Sequence, residues 1–488
     1  MEEALEFKHL IRALFGLLSI VSACMIAVFA AGILLGETTD AIRSFSIPCM
    51  VGILMIIVLL ATKKQNEKAI LSQRMGYLFG TLAWVFATLL GSLPFIFSGA
   101  IPSFVDAFFE TMSGFTTTGA TILTDIEVLP KCILLWRAVT HWLGGMGIVV
   151  LTVAVLPLLG IGGRALLEAE APGPQVDKFT PRISETAKIL WLIYLGLTVI
   201  EILLLMIGGM SLFDAATHAF ATMATGGFST KNLSVGAYHS AYIDIVITIF
   251  MLFAGLNFSL YWKLLKGNIK AVLKDTEARV YILIFLAASI IIALNLLQGK
   301  NFLSFGTALR YASFQAASIL TTTGFVTADY LTWPALAQTV LFILMFIGGC
   351  SGSTGGGIKV GRITTLIKMG FTEMRYLIKP RGIYGVFIDG QYLKKNVVYD
   401  IAAMVILYLV SMIVSTFVVS TGGYDILTSL SATLATLGNI GPGFALVGPV
   451  FNYAFFPDYI KVWLSFIMLL GRLEIFTVLV IFTKSYWK

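Results

Sequence analysis

Four segments of small and hydroxyl-bearing residues recur along the 488-residue chain: Thr116-Thr117-Thr118-Gly119-Ala120, Ala224-Thr225-Gly226-Gly227-Phe228, Thr321-Thr322-Thr323-Gly324-Phe325 and Ala435-Thr436-Leu437-Gly438-Asn439. Each follows a short apolar stretch, near 104–116, 212–224, 306–321 and 425–436. Stretches of roughly 12 residues are too short to cross a bilayer and fit re-entrant half-helices. The loop after such a helix carries carbonyls without intrahelical partners, at the partly negative end of the helix dipole. Four such loops around one axis form rings of carbonyls that can replace the water shell of a dehydrated cation. Glycine permits the backbone conformations this needs, and threonine adds a hydroxyl acceptor. The loops hold no Asp or Glu, and neutral rings suit a monovalent alkali cation better than Ca²⁺, which takes carboxylates as well. The candidate ion-lining residues are Thr116, Thr117, Thr118 and Gly119; Ala224, Thr225, Gly226 and Gly227; Thr321, Thr322, Thr323 and Gly324; and Thr436, Leu437, Gly438 and Asn439.

Any one Thr/Gly run could simply end a helix; four in register argue for a shared role. Placing Gly119, Gly227, Gly324 and Gly438 in register aligns Asp106, Asp214, Tyr311 and Asp425, thirteen positions earlier. Three carboxylates would then stand near the starts of the short helices, where they can cap free amides. The same register matches His218 with Glu110 and Gln315, polar support behind the loops.

A second cluster is a candidate gate. Gly348, Gly349, Gly352, Gly355, Gly356 and Gly357 fall within ten residues of one apolar stretch. Each costs a helix about 1 kcal/mol relative to Ala, so a continuous helix is not expected there. Arg472 lies in the last apolar stretch, where a charge is costly unless it is paired or faces water. Counted from span starts near 335 and 459, Gly348 and Arg472 are at similar depth. Two readings stay open: a constriction made by the loop and the cation, or an Arg472–Glu474 or other buried pair that only fixes packing. Gly352 to Lys359 lacks the Gly-Lys-Ser/Thr of a phosphate loop and lies in an apolar stretch.

These residues need a membrane scaffold. The chain is 58% hydrophobic and 12% charged, with a net charge of +7; soluble proteins carry about 25% charged residues. Spans are expected near 9–35, 46–62, 75–98, 132–160, 187–209, 241–263, 280–298, 335–358, 397–420 and 459–483. With the N-terminus inside, the inner segments hold 25 of the 33 Lys and Arg, as the positive-inside rule requires. The short stretches then all fall on the outer side, and both termini are cytoplasmic. The positive charge is a topological signal, not a nucleic-acid footprint. Cys24, Cys49, Cys132 and Cys350 form no C-x-x-C pair. Clustered Asp, His or Glu at a membrane face, which an enzyme would need, are absent, so no catalytic residue and no prosthetic group are expected.

The fold class is therefore an all-α polytopic membrane protein. Its expected units are two N-terminal helices (1–70) and four helix–half-helix–loop–helix repeats (71–165, 166–275, 276–390 and 391–488), the third carrying the Gly-rich loop. The repeats share one orientation, which favours a central pore; a proton- or sodium-coupled secondary carrier would be supported by inverted repeats.

The Thr-Thr-Thr-Gly and Ala-Thr-Gly-Gly-Phe-Ser-Thr loops, the stretch Gly348–Gly357 and the late Gly471-Arg472-Leu473-Glu474 resemble the Trk/Ktr/HKT potassium-transporter superfamily. The two extra N-terminal spans resemble its bacterial TrkH/TrkG branch. The resemblance covers essentially the whole chain. It implies a K⁺-permeable pore subunit of the bacterial inner membrane, with K⁺ the transported ion. It also implies a homodimer in contact with membrane lipid and a cytosolic TrkA-type ring of nucleotide-binding regulatory subunits. The fourth loop departs from the third, with Leu437 and Asn439 in place of Thr and Phe.

Overall fold

The computed structural model describes residues 2–38, 44–61, 72–147 and 183–487. It is built of α-helices, with one short hairpin, β1 (Phe387–Ile388) paired antiparallel with β2 (Gln391–Tyr392). Helices α1 (Glu2–Leu34) and α2 (Ser46–Ala61) pack together, and α1 also packs on the helices Gln73–Phe97 and Lys131–Gly145 of the first repeat.

Four repeats follow, each a long helix, a short pore helix and a second helix. They are α3 (Gln73–Phe97), α4 (Phe104–Phe115) and α5 (Lys131–Gly145); then α6 (Ile183–Ile207), α7 (Leu212–Met223) and α8 (Ala241–Ala254), with α9 (Phe258–Leu265) and α10 (Ile269–Lys274) behind it. The third comprises α11 (Thr276–Gln298), α12 (Phe305–Leu320) and α13 (Ala335–Leu344), with α14 (Val360–Ile378) beyond the Gly-rich loop. The fourth comprises α15 (Lys395–Ser420), α16 (Ile426–Leu437) and α17 (Asp458–Arg472), followed by the short α18 (Phe476–Leu479). Pore helices pack between repeats: α5 touches α7, α8 touches α12, and α17 returns to α4.

The pore helices start where local chemistry dictates. Ser103, Ser211 and Ser304 each accept a hydrogen bond from the backbone N–H three residues on, capping α4, α7 and α12. Their interiors are buried, while the long helices turn apolar side chains outward, including Leu192 and Leu203 on α6 and Ile413 and Phe417 on α15. A helix with a greasy outer face and satisfied internal hydrogen bonds suits lipid.

Among the described residues, five helices are long and apolar enough to cross a membrane, or seven if each bent pair is one span. Ten spans were expected. Among the described residues the candidate 46–62 is the 16-residue α2, and in the second, third and fourth repeats the second helix does not run through. α8 stops at Ala254, and its continuation α9 is turned by 94°. α17 stops at Arg472, and the following segment is turned by 115°. α13 stops at Leu344, ahead of the loop. The expected continuous spans 241–263 and 459–483 are thus each two pieces. Gly255 in one and the left-handed Glu474 and Ile475 (φ 56° and 65°) in the other mark the breaks. In the first repeat α5 ends at Gly145. The rest of the expected span 132–160, the basic residues expected at 63–68 and 164–182, and the unit boundaries at 70 and 165 lie outside the described residues.

Candidate functional site

All four pore helices end in the same way. The residue after the cap is left-handed: Thr117 (φ 53°), Thr225 (φ 54°), Thr322 (φ 60°) and Asn439 (φ 53°). Its N–H bonds three residues back, and the next N–H bonds five back: Thr118 to Ser113 at 2.9 Å, Gly226 to Ala221 at 2.8 Å, Thr323 to Ser318 at 2.8 Å and Ile440 to Ala435 at 2.8 Å. This is a Schellman ending, which normally places Gly in the left-handed position. A side chain there costs roughly 1–2 kcal/mol. Three of these residues use their side chains. Thr225 Oγ1 donates to Ala224 O at 2.6 Å, Thr322 Oγ1 accepts from Gly356 N at 2.7 Å, and Asn439 Nδ2 donates to Thr118 Oγ1 at 3.0 Å.

Two residues further on stands a left-handed glycine: Gly119 (φ 81°), Gly227 (φ 79°), Gly324 (φ 83°) and Gly441 (φ 90°). These glycines show how the loops meet. A Cβ on Gly119 would stand 2.3 Å from Gly226 O, on Gly227 2.1 Å from Thr323 O, on Gly324 2.1 Å from Ile440 O, and on Gly441 2.6 Å from Thr118 O. Loop 1 abuts loop 2, loop 2 abuts loop 3, loop 3 abuts loop 4, and loop 4 closes on loop 1. Conformation and contact both exclude a side chain at these four positions.

The ring corrects the register of the fourth repeat by three residues. Thr436 and Leu437 are the last residues of α16, and Gly438 is its cap with an ordinary φ of −80°. The fourth loop is Gly438-Asn439-Ile440-Gly441, and Gly441, not Gly438, matches Gly119, Gly227 and Gly324. Asp425 likewise matches Ser103 and Ser211, the caps, and not Asp106 and Asp214. Its carboxylate accepts from Thr428 N, as those serines accept from the amides three residues on. Asn439 was the available signal, because Asn tolerates the left-handed region better than most non-Gly residues.

The Gly-rich segment packs directly against loops 3 and 4. A Cβ on Gly355 would stand 3.0 Å from Thr321 O, and one on Gly356 2.4 Å from Gly438 O. Gly348 N bonds Ile358 O at 2.8 Å and Cys350 N bonds Gly255 O at 2.8 Å, so the segment is an ordered loop stitched to itself and to the break in the second repeat. Lys359, buried, donates to Gly355 O. The depth match with Arg472 becomes contact. Arg472 Nη1 donates to Thr354 O at 2.7 Å, and Nη2 to Gly144 O and Gly145 O at 2.5 and 2.7 Å. The Glu474 carboxylate takes Arg362.

The family model described as TrkH, cation transport protein, matches residues 45–488. The chain belongs to this family. It is 43% identical over 427 residues to the Trk system potassium uptake protein TrkH of Salmonella typhimurium, covering 87% of this chain and 88% of that protein. It is 38% identical to the protein of the same name from Vibrio parahaemolyticus, over 99% of this chain and 100% of that one. The crystal structure of the potassium transporter TrkH from Vibrio parahaemolyticus superimposes with a TM-score of 0.86 at 37% identity, covering 99% of this chain and 100% of that one. The relatives are named as transport proteins, and the all-α polytopic fold is shared with the solved potassium transporter.

In this TrkH-family chain the residues matched as polar support have three different surroundings. Glu110 pairs with Arg137, Nε to Oε1, at 2.7 Å. His218 Nε2 meets Ser229 Oγ at 2.9 Å. Gln315 is buried with both amide atoms unpartnered among the described residues. Arg137 escaped the sequence analysis because it sits alone in the apolar run of α5. Only the fold brings Glu110, 27 residues away, to it.

Proposed function

We propose that this chain is a K⁺-uptake pore subunit of a Trk-type system, passing K⁺ through the ring of four loops under control of the Gly-rich loop and Arg472. The observation that carries the reading is the closed ring. Four buried helix ends, each partly negative, converge with the loop residues 116–119, 224–227, 321–324 and 438–441. Such a ring is suited to an unhydrated monovalent cation. That the relatives are named potassium uptake proteins supports K⁺ as the ion.

Arg472 acts in this reading as a latch. It ties the loop at Thr354 to the C-terminal carbonyls of α5, and the loop in turn presses on loops 3 and 4. Opening requires those hydrogen bonds to be exchanged. The repeats divide near 71–165, 166–275, 276–390 and 391–488. The chain lies in the bacterial inner membrane as a homodimer with cytoplasmic termini, and the basic inner segments near 263–279 and 359–395 receive a TrkA-type regulatory ring.

The test is ⁸⁶Rb⁺ and K⁺ flux into proteoliposomes holding the purified chain, with and without a proton ionophore. Flux that follows the K⁺ gradient alone is expected. Strict dependence on a pH or Na⁺ gradient would replace the pore with a coupled carrier.

A further inference from the structure

The ring has four seams, and the seam between loops 1 and 2 has an Arg–His clamp behind it. On α5, Arg137 and His141 stand one helical turn apart and both are buried. Arg137 holds Glu110 on one side, and its Nη1 donates to Ser229 O at 3.0 Å on the other. Its guanidinium lies 3.6 Å from the centre of the Phe228 ring. Glu110 in turn accepts from Thr121 Oγ1 and Ile122 N, both at 2.9 Å, just past loop 1. Arg137 thereby ties the exit of loop 1 to the exit of loop 2.

His141 does the same one turn deeper. Its Nδ1 is 2.9 Å from Gly114 O, near the end of α4, and Phe228 N donates to its Nε2 at 3.3 Å. A backbone N–H only donates and a carbonyl only accepts, so Nε2 is the acceptor and Nδ1 carries the proton. This is a neutral imidazole, saturated on both sides. Its ring also fills the space beside Gly226, where a Cβ would stand 2.4 Å from Nδ1. An imidazolium could not accept from Phe228 N.

The fourth repeat lacks this Arg–His pair. Gly144 on α5 and Gly471 on α17 are equivalent: a Cβ on either would run into the carbonyl of the last pore-helix residue, Phe115 O at 1.8 Å and Leu437 O at 2.0 Å. Three and seven residues earlier α5 carries His141 and Arg137, while α17 carries Met468 and Leu464.

We propose that Arg137 and His141 are positioning residues that set the spacing of loops 1 and 2 across their seam, and thereby K⁺ over Na⁺ discrimination, with His141 acting as the neutral Nδ1–H tautomer. This rests on the ring being the filter. The test is the ratio of K⁺ to Na⁺ flux in proteoliposomes of the full chain. H141F keeps an aromatic ring against Phe228 and loses both hydrogen bonds; it should lower the ratio by about fivefold for each net hydrogen bond lost, on the order of twentyfold in all. H141Q, which offers an amide donor and acceptor, should recover most of the loss. An unchanged ratio in H141F overturns the clamp. Gly227→Ala separates this from failure of the filter itself. If it lowers the ratio while H141F does not, the filter stands and the clamp falls; if neither does, both fall. A readout without substitution is ¹⁵N-histidine NMR of the intact chain in liposomes, with His141 identified by proximity to the Phe228 amide. The neutral Nδ1–H form is expected, and an Nε2–H form or an imidazolium overturns the proposal.

Discussion

Arg472 Nη1 donates to Thr354 O at 2.7 Å, across 118 residues of sequence, so the last helix of the fourth repeat holds the intramembrane loop of the third. The same guanidinium donates to Gly144 O and Gly145 O of the first repeat. One side chain thus closes a circuit between three repeats below the ring. A hydrogen bond from a charged donor contributes about 1.5–3 kcal/mol. Replacing Arg472 by Ala should therefore raise K⁺ or Rb⁺ flux on the order of tenfold by releasing the loop. Flux and gating identical to those of the unsubstituted chain would remove Arg472 from the gate.

The fourth loop offers a second test, because the two candidate glycines differ in what they can tolerate. Gly438 has an ordinary φ of −80°, whereas Gly441 combines a φ of 90° with Thr118 O lying 2.6 Å from any Cβ. Gly441→Ala should reduce K⁺ over Na⁺ selectivity as strongly as Gly119→Ala or Gly324→Ala, and Gly438→Ala should have the smaller effect. The reverse order in flux-ratio measurements would restore Gly438 to the filter register.

Glu110 and Arg137 form a buried ion pair at the first seam, with side-chain exposures of 0% and 2%. Removing one partner leaves the other charge buried, at a cost of about 3–5 kcal/mol. E110A or R137A alone should lower the thermal unfolding temperature of the detergent-solubilised chain markedly. The double replacement Glu110→Leu with Arg137→Met should cost less than the sum, since neither charge is then stranded. Additive losses in such a double-mutant cycle would mean that the two side chains act independently.

Much of this architecture was legible because its signals are local. Low charge and long apolar runs dictate membrane helices. Thr322 and Gly324, two residues apart after a short apolar stretch, announce a loop; the caps were expected at Asp106 and Asp214 and stand three residues earlier, at Ser103 and Ser211. The clustered glycines of 348–357 announce a broken helix, since each adds its own backbone entropy cost.

Other features were decided by contacts that no local pattern encodes. The register of the fourth loop is set by Gly441 lying against Thr118, and a Thr/Gly resemblance alone pointed three residues too early. The breaks in α8 and α17 occur inside stretches whose composition reads as continuous spans. Arg472 finds its acceptors 118 and 328 residues away, and Arg137 finds Ser229 92 residues away. Composition and short-range spacing determined the membrane class and the recurring half-helix and loop. Only the packing of four repeats around one axis decided which carbonyls meet and which charges are satisfied, because buried polar groups must be paired by whatever the fold brings within hydrogen-bond reach.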